Sequence, residues 1–512
     1  MFFDNENTLI SRFERTVQAF PDHIAVDDAK REITFCELRE EALRLKACIP
    51  KELGARSPQP IGIFLEESVE AVTAILAILY SGNFYVPLNV FFPKGVREKI
   101  LASVEPPLII TSVERAGDLI VCGVPVSRML FAEDGARQTV PDSRVLGYLR
   151  LIDSDPIYIM HTSGSTGQPK GVIIQHRSVL EYLRWIGKTF RMDERTVMGC
   201  TNSFSFDNSI VELFSMMFFG SRLVLLRGRG AEKDDSLLLH VMNKHRVNFI
   251  FWVPSTLKRI ANEDRLADQK PGYIDRVLFC GEVMSNKHLN YWRRHYPAAT
   301  FANLYGPTEI TDVCTCYIVD RAFADDDPLP IGHARDNVDI LLMTGEGPAK
   351  PGESGEILVR GSGLSAGYWK APEATTEAFV QNPLNDRYPE IVYKTGDIGQ
   401  LNERGELMFL GRKDTQIKFF GTRVELTEIE RMALSLEGIR NVCALYFEER
   451  NKIVMAYEAD REWSAAEMIL ALKPHLIAYP TQYIRVDSFP YNTNGKIDRS
   501  RLKERIEPQV GP

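Results

Sequence analysis

The sequence predicts an α/β fold: a large N-terminal region of several subdomains, one of them β-rich, joined to a small α+β C-terminal domain. Three patterns carry this expectation. Apolar strand-like runs alternate with amphipathic segments over most of the chain, as layered α/β proteins with buried sheets require. After about residue 325 the runs shorten and are separated by Gly/Pro turns. Near Lys413 a helix, hairpin, helix pattern of about 100 residues begins with no Pro/Ser-rich linker before it. The division expected is 1–413 and 414–512, with a hinge rather than a tether between them.

Each element has its own local signal. Ile61 to Leu65, Pro107 to Ser112, Arg222 to Leu226 and Phe249 to Ser255 hold the buried-strand runs. No charge occurs between Glu70 and Lys94, a span long enough by count to cross a membrane. Ser81-Gly82-Asn83, Pro87, Asn89 and Pro93 interrupt it, so it reads as a buried helix from Val69 to Tyr80, a glycine turn and a short strand from Phe84 to Pro87. No membrane insertion is expected. In the C-terminal part, Thr427 and Glu430 fit a capping box, with Ile429, Met432, Ala433 and Leu436 on one apolar face and Gly438 at the stop. A hairpin turning at Glu449-Arg450-Asn451 follows, then a helix from about Ser464.

Composition excludes several classes. Of 512 residues 61 are Lys or Arg and 69 Asp or Glu, a net charge of −8 that lacks the basic footprint of a nucleic-acid binder. Eight scattered cysteines form no disulfide framework, which suits a reducing cytoplasm, and Cys314 and Cys316 have no partner pair at zinc-site spacing. The N-terminus has no basic stretch leading into an apolar core, so no secretory signal is read.

Five segments could carry chemistry. Thr162-Ser163-Gly164-Ser165-Thr166-Gly167-Gln168-Pro169-Lys170-Gly171 follows an apolar run; its backbone N–H groups, hydroxyls and Lys170 could wrap a polyphosphate. It is not a Walker A loop, and a flexible Gly/Ser turn is the bland alternative. Asn303 to Glu309 places an aromatic, a tight turn, a hydroxyl and a carboxylate together, fit for an adenine shelf and an Mg²⁺-phosphate ligand. Tyr393 to Asp397 ends a strand with a carboxylate suited to ribose hydroxyls. Gly411-Arg412-Lys413-Asp414 lies at the domain join, and Asn494-Gly495-Lys496 lies near the C-terminus.

In this order the five segments resemble the adenylate-forming superfamily of acyl-CoA synthetases, luciferases and peptide-synthetase adenylation domains. The resemblance extends to Ile33 to Leu38, Tyr85-Val86-Pro87, Gly363-Leu364 with Gly367-Tyr368-Trp369, and Gly421 to Leu426. It implies that ATP with Mg²⁺ is bound between a core and a mobile C-terminal domain turning about Asp414. Lys496 and Thr308 would meet the α-phosphate, Glu309 the Mg²⁺, and the loop from Thr162 to Lys170 the β,γ-phosphates. Asn303 and Tyr305 would bind the adenine, Asp397 and Arg412 the ribose, and Gly281 and Glu282 would also belong to the ATP site. Lys496 as a solvated surface lysine is the alternative.

Within that superfamily Phe206-Asp207-Asn208-Ser209 is similar to the amino-acid-activating branch, where Asp207 would hold the substrate α-ammonium. A helix N-cap is the competing reading for Asp207. The implied pocket is Asp207, Asn208, Val211, Trp252, Leu278, Cys280, Leu304, Asp312 and Val313, with Lys496 at the substrate carboxylate. Trp252 and Leu304 occupy volume, which favours a small amino acid. A buried Asp312 needs a donor, either from a polar or diamino substrate or from Thr311, backbone or solvent. Phe279 to Val283 is similar to D-alanine–carrier protein ligases, from which Leu304, Asn208 and Asp312 depart. The chain runs 16 residues past Lys496, too few for a carrier domain. The resemblance therefore implies a stand-alone ligase serving the phosphopantetheine thiol of a carrier protein in trans. The alternatives are a synthetase of the same fold using free CoA, against which Asp207 speaks, and a silent scaffold.

Overall fold

The computed structural model describes residues 7–54, 57–140, 150–162, 168–226, 234–345, 347–413, 415–490 and 497–511. The chain divides into two compact units, one of Met1–Val90, Val104–His161 and Gly171–Lys413, the other of Phe91–Ser103, Thr162–Lys170 and Asp414–Pro512.

Among the described residues the first unit is built on three sheets. The largest has nine strands, in the spatial order His333–Ala334, Thr315–Ile318, Thr300–Tyr305, Arg276–Cys280, Phe249–Trp252, Val197–Cys200, Arg222–Leu225, Ile24–Asp27 and Glu32–Thr34. A six-stranded sheet includes Pro60–Phe64, Phe84–Pro87, Pro156–Thr162 and Lys170–Gln175. The β-rich part expected after residue 325 is a five-stranded sheet in which Ile391–Leu401 pairs with Ser354–Gly361, Phe379–Gln381 and Leu407–Arg412.

Alternation along the strands sends successive side chains to opposite faces of the large sheet. Phe249 and Phe251, Leu278 and Cys280, and Ala302 and Leu304 join the main apolar core. Their neighbours Ile250 and Trp252, Val277 and Phe279, and Phe301 pack into a second core on the other face. The charge-free stretch folds as its interruptions require. Helix Val69–Tyr80 is buried at every position but Glu70, and Ser68 caps it by accepting from the Ala71 N–H. Gly82, at φ 79°, turns the chain into strand Phe84–Pro87. Among the described residues no helix is long and apolar enough to cross a membrane.

In the second unit Ile439–Phe447 and Lys452–Ala459 form the expected hairpin, with Gln482–Arg485 parallel to the latter. Helix Ala465–Leu472 starts at a Ser464/Glu467 capping box. Within the same unit Lys99 pairs with Glu428 at 2.9 Å. The capping box expected at Thr427 and Glu430 does not form. The helix spans Leu426–Leu434, its N-cap is Glu425, and no side chain caps it. Glu430 instead accepts from Arg499 at 2.7 and 2.8 Å and from the Ala444 N–H at 2.7 Å. A charge-assisted pair outweighs a local backbone contact.

Glu430→Ala should therefore lower stability by about 2–3 kcal/mol, whereas Thr427→Ala, which removes no cap, should cost less than about 0.5 kcal/mol. Urea unfolding of the two variants checks the contrast, and equal losses would restore the capping box.

Candidate functional site

The site grows from one turn. Strand Thr300–Tyr305 runs beside Arg276–Cys280 and leads through Gly306-Pro307 into a single 3₁₀ turn, Thr308–Ile310. Thr311 and Asp312 follow, both left-handed, at φ 60° and 72°. Successive non-glycine residues in that region are strained and are held by their surroundings. Gly306 leaves no room for a side chain, since a Cβ there would run into the carbonyl oxygen of Asp312. The turn is thus folded tightly on itself and displays Tyr305, Thr308, Glu309 and Asp312.

A carboxylate lies at each of these positions or against it, and a hydroxyl from another element holds each one. The Tyr305 hydroxyl donates to Asp397, whose other oxygen takes Arg412 Nη1 at 2.5 Å. Thr308 donates to Asp207 at 2.5 Å, Tyr368 to Glu309 at 2.8 Å, and Tyr182 to Asp312 at 2.7 Å. Asp397 and Arg412 face each other across the antiparallel pair Ile391–Leu401 and Leu407–Arg412. Burial, then the adjacent carboxylate, pushes the Tyr182 and Tyr305 phenols well above their usual range, so both stay protonated donors.

Of the residues expected to line a pocket, Val211, Leu278, Cys280, Leu304 and Val313 share the main core. Asn208 is buried and is the N-cap of helix Ser209–Phe219, without a side-chain cap bond. Asp207 does not cap that helix; its Oδ1 accepts from the adjacent Asn208 N–H, at 3.0 Å. Trp252 departs from the set. It packs in the second core, on the opposite sheet face, and donates its indole N–H to the Gly199 carbonyl at 2.9 Å. Strand alternation puts it there. Asp312 takes the donor that its burial calls for from Tyr182, neither from a substrate nor from Thr311.

Asn303 is buried and donates Nδ2 to the Pro330 carbonyl at 2.8 Å. Gly281 is left-handed, and Glu282 accepts from the Ser255 N–H at 2.8 Å. Thr162 ends strand Pro156–Thr162, and Lys170 opens Lys170–Gln175. Ser163, Gly164, Ser165, Thr166, Gly167, Asp414 and Lys496 lie outside the described residues.

The sequence reading missed Tyr182, the partner of Asp312. It lies on helix His176–Phe190, stacks on Trp185 at 5.9 Å, and has the Arg335 guanidinium over its ring, with Arg335 paired to Glu181. No local signal marks it, since Tyr182 also reads as an ordinary core residue. Tyr368 stood inside a quoted motif, but nothing local pointed to Glu309. Glu212 was also missed. It is fully buried next to Val211, and among the described residues neither carboxylate oxygen has a partner at strict hydrogen-bond geometry, although Cys200, Thr201 and Asn202 lie against it. Burial raises its pKa from the ordinary 4.5 to about 8.

For metal binding, the grouping found among the described residues is Asp27, Glu32 and His245. The Arg222 guanidinium already sits there, at 2.7 Å from Asp27 and 2.5 Å from Glu32. Glu309 is a better fit to Mg²⁺, which takes one or two carboxylates and completes its shell with water and phosphate oxygens. A single carboxylate, beside the Thr308 hydroxyl on one turn, is that kind of donor set.

Residues 13–369 match the family described as AMP-binding enzyme. Tyrocidine synthase 2 of Brevibacillus parabrevis is 32% identical over 525 residues, covering 99% of this chain and 14% of that protein. The chain spans 20% or less of the length of the first synthases it matches. Among solved structures, the Vibrio cholerae adenylation domain AlmE, in complex with glycyl-adenosine-5'-phosphate, superposes with a TM-score of 0.84 at 22% identity over 99% of both chains. The o-succinylbenzoate CoA synthetase of Bacillus subtilis gives 0.83 at 20%, over 96% of this chain and 98% of that one. At such identities the structural likeness establishes the fold.

Glu212 makes stability depend on pH. Between its ordinary 4.5 and its folded value of about 8, the folded state holds a proton that the unfolded state has lost. Stability should therefore fall as pH rises through that window. Glu212→Gln should flatten the decline, which thermal midpoints measured from about pH 5 to 9 will show. Parallel curves for the two proteins would sink the assignment.

Proposed function

Since the chain belongs to the family of AMP-binding enzymes, we propose that it activates an amino acid with ATP to an aminoacyl-adenylate, releasing pyrophosphate, and passes the acyl group to a carrier-protein phosphopantetheine thiol. The observation that carries this reading is the Thr308–Asp207 hydrogen bond. It ties a carboxylate able to pair an ammonium to the turn that also bears Glu309.

The chemistry asks little of a base. A substrate carboxylate is already a nucleophile for the α-phosphorus, so catalysis is alignment and neutralisation of growing negative charge. Asp207 pairs the α-ammonium and orients the carboxylate; Thr308 donates to the α-phosphate. The Tyr305 ring and the Asn303 amide flank adenine, with Gly281 and Glu282 at its edge. Asp397, oriented by Arg412, accepts from the ribose hydroxyls. Glu309 would hold Mg²⁺, which neutralises phosphate charge when bound. Lys496 bridges the carboxylate and α-phosphate, with Thr162 to Lys170 around the β,γ-phosphates. A second domain orientation, turning about Asp414, withdraws Lys496 and admits the thiol, which attacks the adenylate carbonyl to give a thioester and AMP.

The likeness to o-succinylbenzoate CoA synthetase supports a second reading, in which the acyl acceptor is free CoA. ATP–pyrophosphate exchange across amino acids, followed by acyl transfer to holo carrier protein or to CoA, separates the two. Exchange with carboxylic acids that lack an amine would favour the second.

Lys496→Ala should abolish adenylate formation while sparing thioester formation from a supplied aminoacyl-adenylate, as parallel half-reaction assays will report. Equal loss in both would assign Lys496 to the fold. Asp207→Ala should cost about 3–5 kcal/mol in amino-acid recognition, roughly 10²-fold or more in kcat/KM, with ATP binding barely changed. Joint loss of ATP binding and early melting would make Asp207 structural.

A further inference from the structure

Arg335 follows strand His333–Ala334 at one end of the nine-stranded sheet, and its side chain has no surface exposed. Glu181, on helix His176–Phe190, pairs with its Nη1. The rings of Tyr182 and Trp185, on the same helix, lie against the guanidinium at 5.5 and 5.9 Å. Taking an ion pair out of water costs about as much as the pairing returns, and apolar side chains of similar volume would join these elements as firmly. What a guanidinium adds is direction, because its donors are fixed in one plane.

That direction is toward the turn that follows Thr308–Ile310. Arg335 Nε donates to the Val313 carbonyl at 2.7 Å, and the Arg335 backbone N–H to the Cys314 carbonyl at 3.0 Å. Nη2 lies against Gly363, where a Cβ would come within 2.6 Å of it, and the Gly363 carbonyl accepts from the Thr311 hydroxyl at 2.9 Å. The Tyr182 ring under the guanidinium carries the hydroxyl that donates to Asp312 at 2.7 Å. Arg335 thus reaches Thr311, Asp312 and Val313, each directly or through one intervening group. Thr311 and Asp312 are the left-handed pair, so the stretch least inclined to its own conformation is the one most heavily braced. The same turn starts at Thr308, which is bonded to Asp207 at 2.5 Å.

We propose that Arg335 is a positioning residue for adenylate formation: held by Glu181, it fixes the strained stretch from Thr311 to Val313 and so keeps Thr308 in register with Asp207 for the incoming amino acid. It acts through the turn and not by contact with substrate. The inference rests on the amino-acid reading above and deepens it.

The test measures ATP–pyrophosphate exchange with the twenty proteinogenic amino acids and 2,3-diaminopropionate. The proteins are the wild type, Arg335→Lys, and a neutral pair carrying Arg335→Met with Glu181→Gln. The neutral pair leaves no lone buried charge and should keep the wild-type thermal midpoint. With the amino acid that the wild type uses best, it should raise the amino-acid KM about 5-fold or more and lower kcat by a similar factor, while KM for ATP changes by less than about 2-fold. Arg335→Lys keeps a charge opposite Glu181 but cannot span Glu181 and Val313 as the planar fork does, so its losses should be smaller and of the same kind. Loss of folded protein alone would lower kcat and leave both KM values in place. That result, an equal rise in both KM values, wild-type kinetics in both variants, or failure of both to fold would overturn the proposal and leave Arg335 a residue of the fold. A wild type that exchanges with none of these amino acids overturns the amino-acid reading and this inference together. A failure confined to the variants leaves that reading standing.

Discussion

Burying a carboxylate is expensive unless something donates to it, and this constraint organises the site. Asp397, Asp207, Glu309 and Asp312 each accept from a hydroxyl, those of Tyr305, Thr308, Tyr368 and Tyr182 respectively. Two of the hydroxyls and two of the carboxylates come from the eight residues between Tyr305 and Asp312. A hydroxyl orients a carboxylate without carrying a charge of its own, which suits the cation and ribose contacts proposed for them. The strained pair Thr311 and Asp312, and the glycine before them, follow from the same demand. The chain must reverse within a few residues to aim four side chains at partners on four separate segments.

The large sheet decides which residues can reach that turn. Its two faces are separate apolar compartments, and alternation assigns each strand residue to one of them. Leu278, Cys280 and Leu304 fall on the side shared with Val211 and Val313. Trp252 falls on the other, where its indole N–H finds the Gly199 carbonyl. A positional resemblance near a strand end carries the residue but not its face, and the face was settled by packing.

What was legible in the sequence was what local chemistry determines. Helix Val69–Tyr80 and the turn after it could be placed because serine, glycine and an unbroken apolar run act over a few residues. The hairpin around Asn451 could be placed for the same reason, since a left-handed residue closes it. Thr427 and Glu430 had the spacing of a capping box, but the partner that takes Glu430 is Arg499, 69 residues away. Tyr182 and Asp312 are 130 residues apart, and neither has a neighbour in sequence that marks the pairing. The types of residue at the site could be read from motifs; which hydroxyl serves which carboxylate depends on contacts across sheets.

The helix Ser209–Phe219 and the residues before it hold two carboxylates in different surroundings. Asp207, at the mouth of the helix, keeps some exposure and accepts from Thr308 and from the backbone. Glu212, little more than one turn further on, is sealed in the core, and burial lifts its pKa to about 8. At neutral pH Glu212 is therefore mostly protonated and offers little attraction to a cation. Under the proposed reading, an anionic Glu212 would compete with Asp207 for an incoming ammonium, and the substrate carboxylate would lose a defined direction. With Glu212 silenced by desolvation, the ammonium has, under that reading, one place to bind, at Asp207, and the acid group can point at the turn bearing Thr308 and Glu309.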